Sequence, residues 1–200
     1  LMGVIRWCME NDKIQWDYVR NYTNASYLVR EDFGWHDGLF TGYDEETRKL
    51  VFGPDSAAVR EGRIATVQSL GGTGALKIGA DFLHSHGLAS KVLVSDPTWS
   101  NHRGVFQGAG FEIGSYRYCA RNTPGIDMDG LLADLGAADS GTVVVLHACC
   151  HNPSGYDLNG NQWDRVIAVL RERRLTPFLD LAYQGFGNGL AEDRGAVERI

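Results

Sequence analysis

No feature of this sequence limits its fold as strongly as the alternation of short apolar runs with stretches of helical spacing, repeated at least four times up to residue 180. Thr142-Val143-Val144-Val145-Leu146-His147 is apolar along nearly its whole length, the pattern of a strand covered on both faces. Residues 91–95, 111–118 and 176–180 read as strands too, and 64–67 reads as a shorter β-rich run. Helices are expected over 101–109, closed by Gly110, and over 162–173. A third is expected over 128–135, with Leu131, Leu132 and Leu135 on one face. A fourth, over 44–52, carries acids first and bases later and ends at Gly53-Pro54. Gly71-Gly72-Thr73-Gly74 reads as a turn opening a helix that runs to about residue 86. Strands alternating with helices of this length make βαβ units. The expected fold class is therefore α/β, a mainly parallel sheet flanked by helices. Such sheets take ligands just outside the carboxyl ends of their strands, so the residues that follow each run carry the functional argument.

The first 43 residues break this pattern, and a boundary is expected between 43 and 44. Trp7, Trp16 and Trp35 stand there among scattered charges; Asn21-Tyr22-Thr23-Asn24 suggests a turn and Gly34-Trp35-His36-Asp37-Gly38 a loop. The start at Leu1 rather than Met predicts that the chain is not a natural whole. A formal charge of -6 supplies no basic stripe for nucleic acid. No apolar run reaches membrane-spanning length, and the first residues lack signal-peptide anatomy. Cys8, Cys119, Cys149 and Cys150 show no disulfide spacing. Four reduced thiols in a cytoplasmic protein are expected, two of them buried beside a strand end.

Four strand ends carry unusual chemistry. Gly71-Gly72-Thr73-Gly74 lets backbone approach a phosphate at a helix N-terminus, although glycine-rich turns are common and this one fits no longer nucleotide motif. Ser95-Asp96-Pro97-Thr98-Trp99-Ser100-Asn101-His102 offers Trp99 to stack on a flat ring; taken alone, a Trp packed beneath the next helix explains it as well, and His102 alone reads as a structural histidine. His147-Ala148-Cys149-Cys150-His151-Asn152-Pro153-Ser154-Gly155 invites a zinc reading on His147, Cys149, Cys150 and His151. Successive side chains leaving a strand diverge, which opposes it. Asn152-Pro153 fixes a turn that presents an amide. Asp180-Leu181-Ala182-Tyr183 ends an apolar run with an acid, which either caps a turn or holds a protonated ring nitrogen. A phosphate turn, a stacking ring, an amide, a phenol and an acid together match one phosphorylated pyridine cofactor.

In order and approximate spacing, Gly71-Gly72-Thr73-Gly74-Ala75-Leu76, Pro97-Thr98-Trp99-Ser100-Asn101-His102, Cys149-Cys150-His151-Asn152-Pro153-Ser154-Gly155 and Asp180-Leu181-Ala182-Tyr183-Gln184-Gly185-Phe186 resemble the aspartate and aromatic-amino-acid aminotransferases. The resemblance runs from about residue 44 to 200. It implies part of the large domain of a fold-type I pyridoxal-phosphate transferase, with a sheet incomplete at its C-terminal side. Gly72 and Thr73 then bind the phosphate of pyridoxal 5'-phosphate. Trp99 stacks on its ring, Asn152 and Tyr183 donate to its phenolic oxygen, and Asp180 holds its pyridine nitrogen. His102 and His147 support Asp180 from behind. Trp99 and Asn152 also meet the substrate. The implied reaction moves an amino group between an amino acid (aspartate, glutamate or aromatic) and a 2-oxo acid, in a homodimer.

The chain departs from the family's pattern in two places. The Schiff-base lysine of the family follows a further strand, whereas the lysines here are Lys13, Lys49, Lys77 and Lys91, none in that context. No catalytic lysine is therefore assigned. The family's later arginines and small domain are not matched either, so a truncated, catalytically inactive fragment is the alternative expectation. Residues 1–43 do not resemble the family's N-terminal segment, and Tyr22 and Tyr43 are poor matches for its phosphate-reaching tyrosine.

Overall fold

A computed structural model describes residues 35–36, 39–40, 43–67, 69–120 and 124–200, with side chains from residue 48 onward. The chain divides into two compact units, 1–43 and 44–200. In the first, β1 (Trp35–His36) and β2 (Leu39–Phe40) pair antiparallel, Trp35 opposite Phe40. The segment expected to be only a loop therefore contains a short strand. The expected turn at 21–24 lies outside the described residues.

The second unit alternates helix and strand: α1 (Tyr43–Phe52), α2 (Ala57–Arg60), α3 (Gly71–Ser85), β3 (Lys91–Asp96), α4 (Asn101–Gly108), β4 (Glu112–Arg117), α5 (Met128–Ala137), β5 (Val143–His147), α6 (Gly160–Arg173), β6 (Thr176–Asp180) and α7 (Gly195–Arg199). The strands form one parallel sheet in the order β4-β3-β5-β6. The strands lie within a residue or two of their expected limits, because continuous apolar runs mark them. The run at 64–67 is the exception: residues 63–67 form no strand, and Val67 is 69% exposed. Its β-rich composition finds no neighbouring strand to pair with, and β-propensity acts through such neighbours. The glycines at 71–74 likewise form the first turn of α3 itself rather than a turn after a strand.

Side-chain alternation along the strands divides the core between the two faces of the sheet. Val92, Val94, Val143 and Val145 pack with Ala80 of α3 and Phe106 of α4. Val144 and Leu146 point the other way, toward Leu131 and Leu135 of α5 and Trp163, Val166 and Leu170 of α6. Period-2 strands facing helices of period 3.6 on both sides give this three-layer arrangement. Each helix has local reasons to start where it does. Asp127 accepts from the Gly130 N–H at the head of α5. Asn159 and Gln162 exchange side-chain and backbone bonds at the head of α6, a complete capping box.

The chain passes from β3 outward to β4, then returns across β3 to β5 and on to β6. The crossovers therefore run in opposite directions on either side of β3. A crevice at the carboxyl ends of β3 and β5 follows from that reversal.

Candidate functional site

The site is built by matching the spacing of a helix to that of a strand. His102 and Phe106 are the two buried residues of α4, four apart, which is about 6 Å along the axis. Phe178 and Asp180 are two apart on β6 and so about 6.6 Å apart on one face. Phe106 meets Phe178 edge to face at 5.3 Å between ring centroids, and the same registration lays His102 on Asp180. His102 Nε2 is 3.0 Å from Asp180 Oδ2, and its Nδ1 is 2.7 Å from Thr98 Oγ1. The neutral tautomer with its proton on Nε2 donates to Asp180 and leaves Nδ1 to accept from the Thr98 hydroxyl. His102 is fully buried, whereas the Asp180 side chain is 15% exposed. The carboxylate thus presents one oxygen to the imidazole and keeps an open side at the sheet's carboxyl edge.

His147 ends β5 directly opposite Asp180. Its ring lies between those of His102, at 5.1 Å, and His151, at 4.2 Å. Neither of its nitrogens has a hydrogen-bond partner among the described residues. Asp180 is therefore hydrogen-bonded directly by His102, while a His147 ring nitrogen lies within 4.8 Å of the carboxylate without bonding it. Burial, reinforced by His151 and His102, lowers the His147 pKa to about 4. His151 is held more firmly: its Nε2 is 3.0 Å from Ser95 Oγ and its Nδ1 2.8 Å from Ser154 Oγ. It also stacks on Tyr118 at 3.9 Å. Burial takes its pKa down to about 4 as well.

The remaining expected residues frame the opening. Trp99 is half-buried, and its ring stands perpendicular to that of His102, with centroids 5.5 Å apart at 88°. Asn152 is half-buried beside His151. Tyr183 is 43% exposed on the loop after β6, and its carbonyl accepts from the Cys150 thiol at 3.9 Å. Gly72 and Thr73 are exposed in the first turn of α3, where no side chain caps the helix and a Cβ at Gly72 would meet nothing within 4 Å. Helix α3 lies on the same sheet face as α4, with Gly79 against Phe178. His102, His147 and Asp180 are brought together; Gly72 and Thr73 supply an uncapped helix end.

The loops also hold groups that strand-end reasoning passed over. Asp193, 4% exposed, accepts from the N–H groups of Gly185, Gly187 and Asn188 at 2.7–2.9 Å. Those bonds hold its carboxyl below the usual range and fix the loop that carries Tyr183. Asp157 accepts from the N–H groups of Cys150 and His151, both at 2.8 Å. The sequence signal for Asp193 was an acid closing a run with glycines at 185, 187 and 189. The zinc reading on residues 147–151 is not met: His151 is engaged by two serines and a tyrosine. The ligand atoms that do converge are those of His102, His147 and Asp180 and those of Cys149, Cys150 and Asp193. Of the thiols expected to be buried, Cys149 is buried and Cys150 half-buried, because the chain turns outward between them.

Among the described residues no helix is long and apolar enough to cross a membrane. The model of the family "Aminotransferase class I and II" matches residues 40–199. A tyrosine aminotransferase of Klebsiella pneumoniae is 50% identical over 161 residues, 80% of this chain and 41% of the relative. An aspartate aminotransferase of Pseudomonas aeruginosa is 50% identical over 155 residues, 78% of this chain and 39% of the relative. An aromatic-amino-acid aminotransferase of Burkholderia pseudomallei, solved covalently bound to pyridoxal phosphate, superposes with a TM-score of 0.79 at 50% identity, covering 87% of this chain and 43% of that one. The chain spans about two fifths of the length of these curated relatives.

Proposed function

The chain belongs to the class I and II aminotransferases, and on that footing we propose that its activity is transfer of an amino group between an amino acid and a 2-oxo acid, with pyridoxal 5'-phosphate as cofactor. Aspartate, glutamate and the aromatic amino acids are the substrates this reading names; aspartate, tyrosine and the aromatic amino acids stand in the relatives' names, and glutamate rests on the family resemblance alone. Residues 44–200 are read as part of the cofactor-binding large domain. The observation that carries the reading is the Asp180 carboxylate, backed by buried His102 and open on its other side at the sheet's carboxyl edge.

The residues present fit such a group. The uncapped first turn of α3 directs free N–H groups outward at Gly72 and Thr73, as a phosphate requires. Trp99, half-buried beside His102, would supply an indole to stack on the ring. Asp180 would hold the proton of a pyridine nitrogen, and His102 would keep that carboxylate oriented by donating from Nε2. Asn152 and Tyr183 would donate to a phenolic oxygen, and Trp99 and Asn152 would also border the substrate. The cofactor's contribution when bound is an electron sink for the pair left as an amino acid loses its α proton. A cytoplasmic setting is part of the proposal, supported by the free thiols Cys119, Cys149 and Cys150. So is a homodimer, supported by the exposure of Val67, Leu70 and Phe186.

The test is amino transfer by the full-length product of the gene, supplied with pyridoxal 5'-phosphate, 2-oxoglutarate and either aspartate or tyrosine. Cofactor-dependent formation of glutamate is expected. Its absence with every donor, in a folded and cofactor-loaded protein, overturns the proposal.

A further inference from the structure

The turn after β5 gathers two thiols and a carboxylate that the proposed cofactor site does not use. In a continuing strand, Cys149 and Cys150 would point to opposite faces. Cys150 instead has φ +49, a left-handed conformation uncommon for a residue with a side chain. Asp157 holds the turn by accepting from the N–H groups of Cys150 and His151. As a result Cys149 Sγ, Cys150 Sγ and a carboxylate oxygen of Asp193 all lie within 4.8 Å of one another. Asp193 is itself anchored by three backbone N–H groups. A cleft of about 190 Å³, lined in part by Cys149, Asp157, Asn188, Glu192 and Asp193, opens beside Cys149.

We propose that Cys149 and Cys150 form a vicinal dithiol site that captures a trivalent arsenical. The reaction is a condensation without redox change. An arsenic(III) oxide, R–As=O, meets two thiols; two As–S bonds form, two S–H bonds break, and the oxygen leaves as water with both protons. No net charge is created, which suits thiols flanked by Asp157 and Asp193. Burial, with Cys150 and Asp193 alongside, pushes the Cys149 thiol up to about 12.

Phenylarsine oxide titrated into the 200-residue chain, with intact mass as the readout, tests the site. A single phenylarsenic adduct is expected, released by dithiothreitol and retained against 2-mercaptoethanol. It is expected to vanish in C149S and in C150S and to persist in C119S and C8S. Absence of an adduct on the native chain overturns the proposal, as does an adduct that survives in C150S. Should C149S fail to fold by circular dichroism, C150S decides alone, since its side chain is only half-buried.

Discussion

His102 illustrates how one side chain is fixed by three independent constraints: burial by α4, a hydroxyl behind it and a carboxylate in front. A hydrogen bond to a charged partner contributes about 1.5–3 kcal/mol. His102→Ala is therefore expected to weaken binding of pyridoxal 5'-phosphate by roughly 10–100-fold, read by calorimetric titration. His147 and His151 make a second prediction. Their pKa values fall from 6.5 to about 4 on folding, so the fold favours the neutral rings. The stabilisation is fully present above pH about 6.5 and is lost as pH falls toward about 4, on the order of 3 kcal/mol for each ring. Urea midpoints measured between about pH 7 and pH 4.5 are expected to fall steeply in the native chain and less steeply in His147→Asn. A slope unchanged by that substitution contradicts this assignment. Asp180, Trp99 and His102 were legible because function in such sheets sits at strand ends. The missing hydrogen bonds of His147 and the loop-holding roles of Asp157 and Asp193 were not, since they depend on how loops double back.

Individual helices and strands answer to simpler tests. Asn159→Ala removes half of the capping box at the head of α6 and is expected to cost about 1 kcal/mol in a urea melt. Gly79→Ala sets two effects against each other. Helix propensity favours alanine by up to about 1 kcal/mol. The added Cβ, however, would lie 2.8 Å from two ring carbons of Phe178. That ring is pinned by Phe106, and overpacking of this kind costs about 1–3 kcal/mol. Net destabilisation is expected, and a more stable Gly79→Ala would mean that α3 and β6 pack more loosely than described. Strands such as β5 were legible because a five-residue run buried on both faces has one reading. Residues 64–67 misled because a strand needs a partner, and composition does not say whether one is near. The hairpin β1–β2 was missed because two residues a side leave no periodicity to detect.

The strand order joins these parts. The reversal of crossovers at β3 puts Trp99, His147 and Asp180 at one edge of the sheet, contributed by segments far apart in the chain. That order followed from no single motif; it is set by which strand pairs with which, through contacts between distant residues. Pyridoxamine 5'-phosphate tests the assembled site, since it lacks an aldehyde and cannot react with Lys13, Lys49, Lys77 or Lys91. Equilibrium dialysis against the chain is expected to show saturable 1:1 binding, weakened at least roughly tenfold by Asp180→Ala and lowered also by Trp99→Ala. No saturable binding to the folded chain, or binding indifferent to Asp180, would contradict the assignment of this sheet edge as a cofactor site.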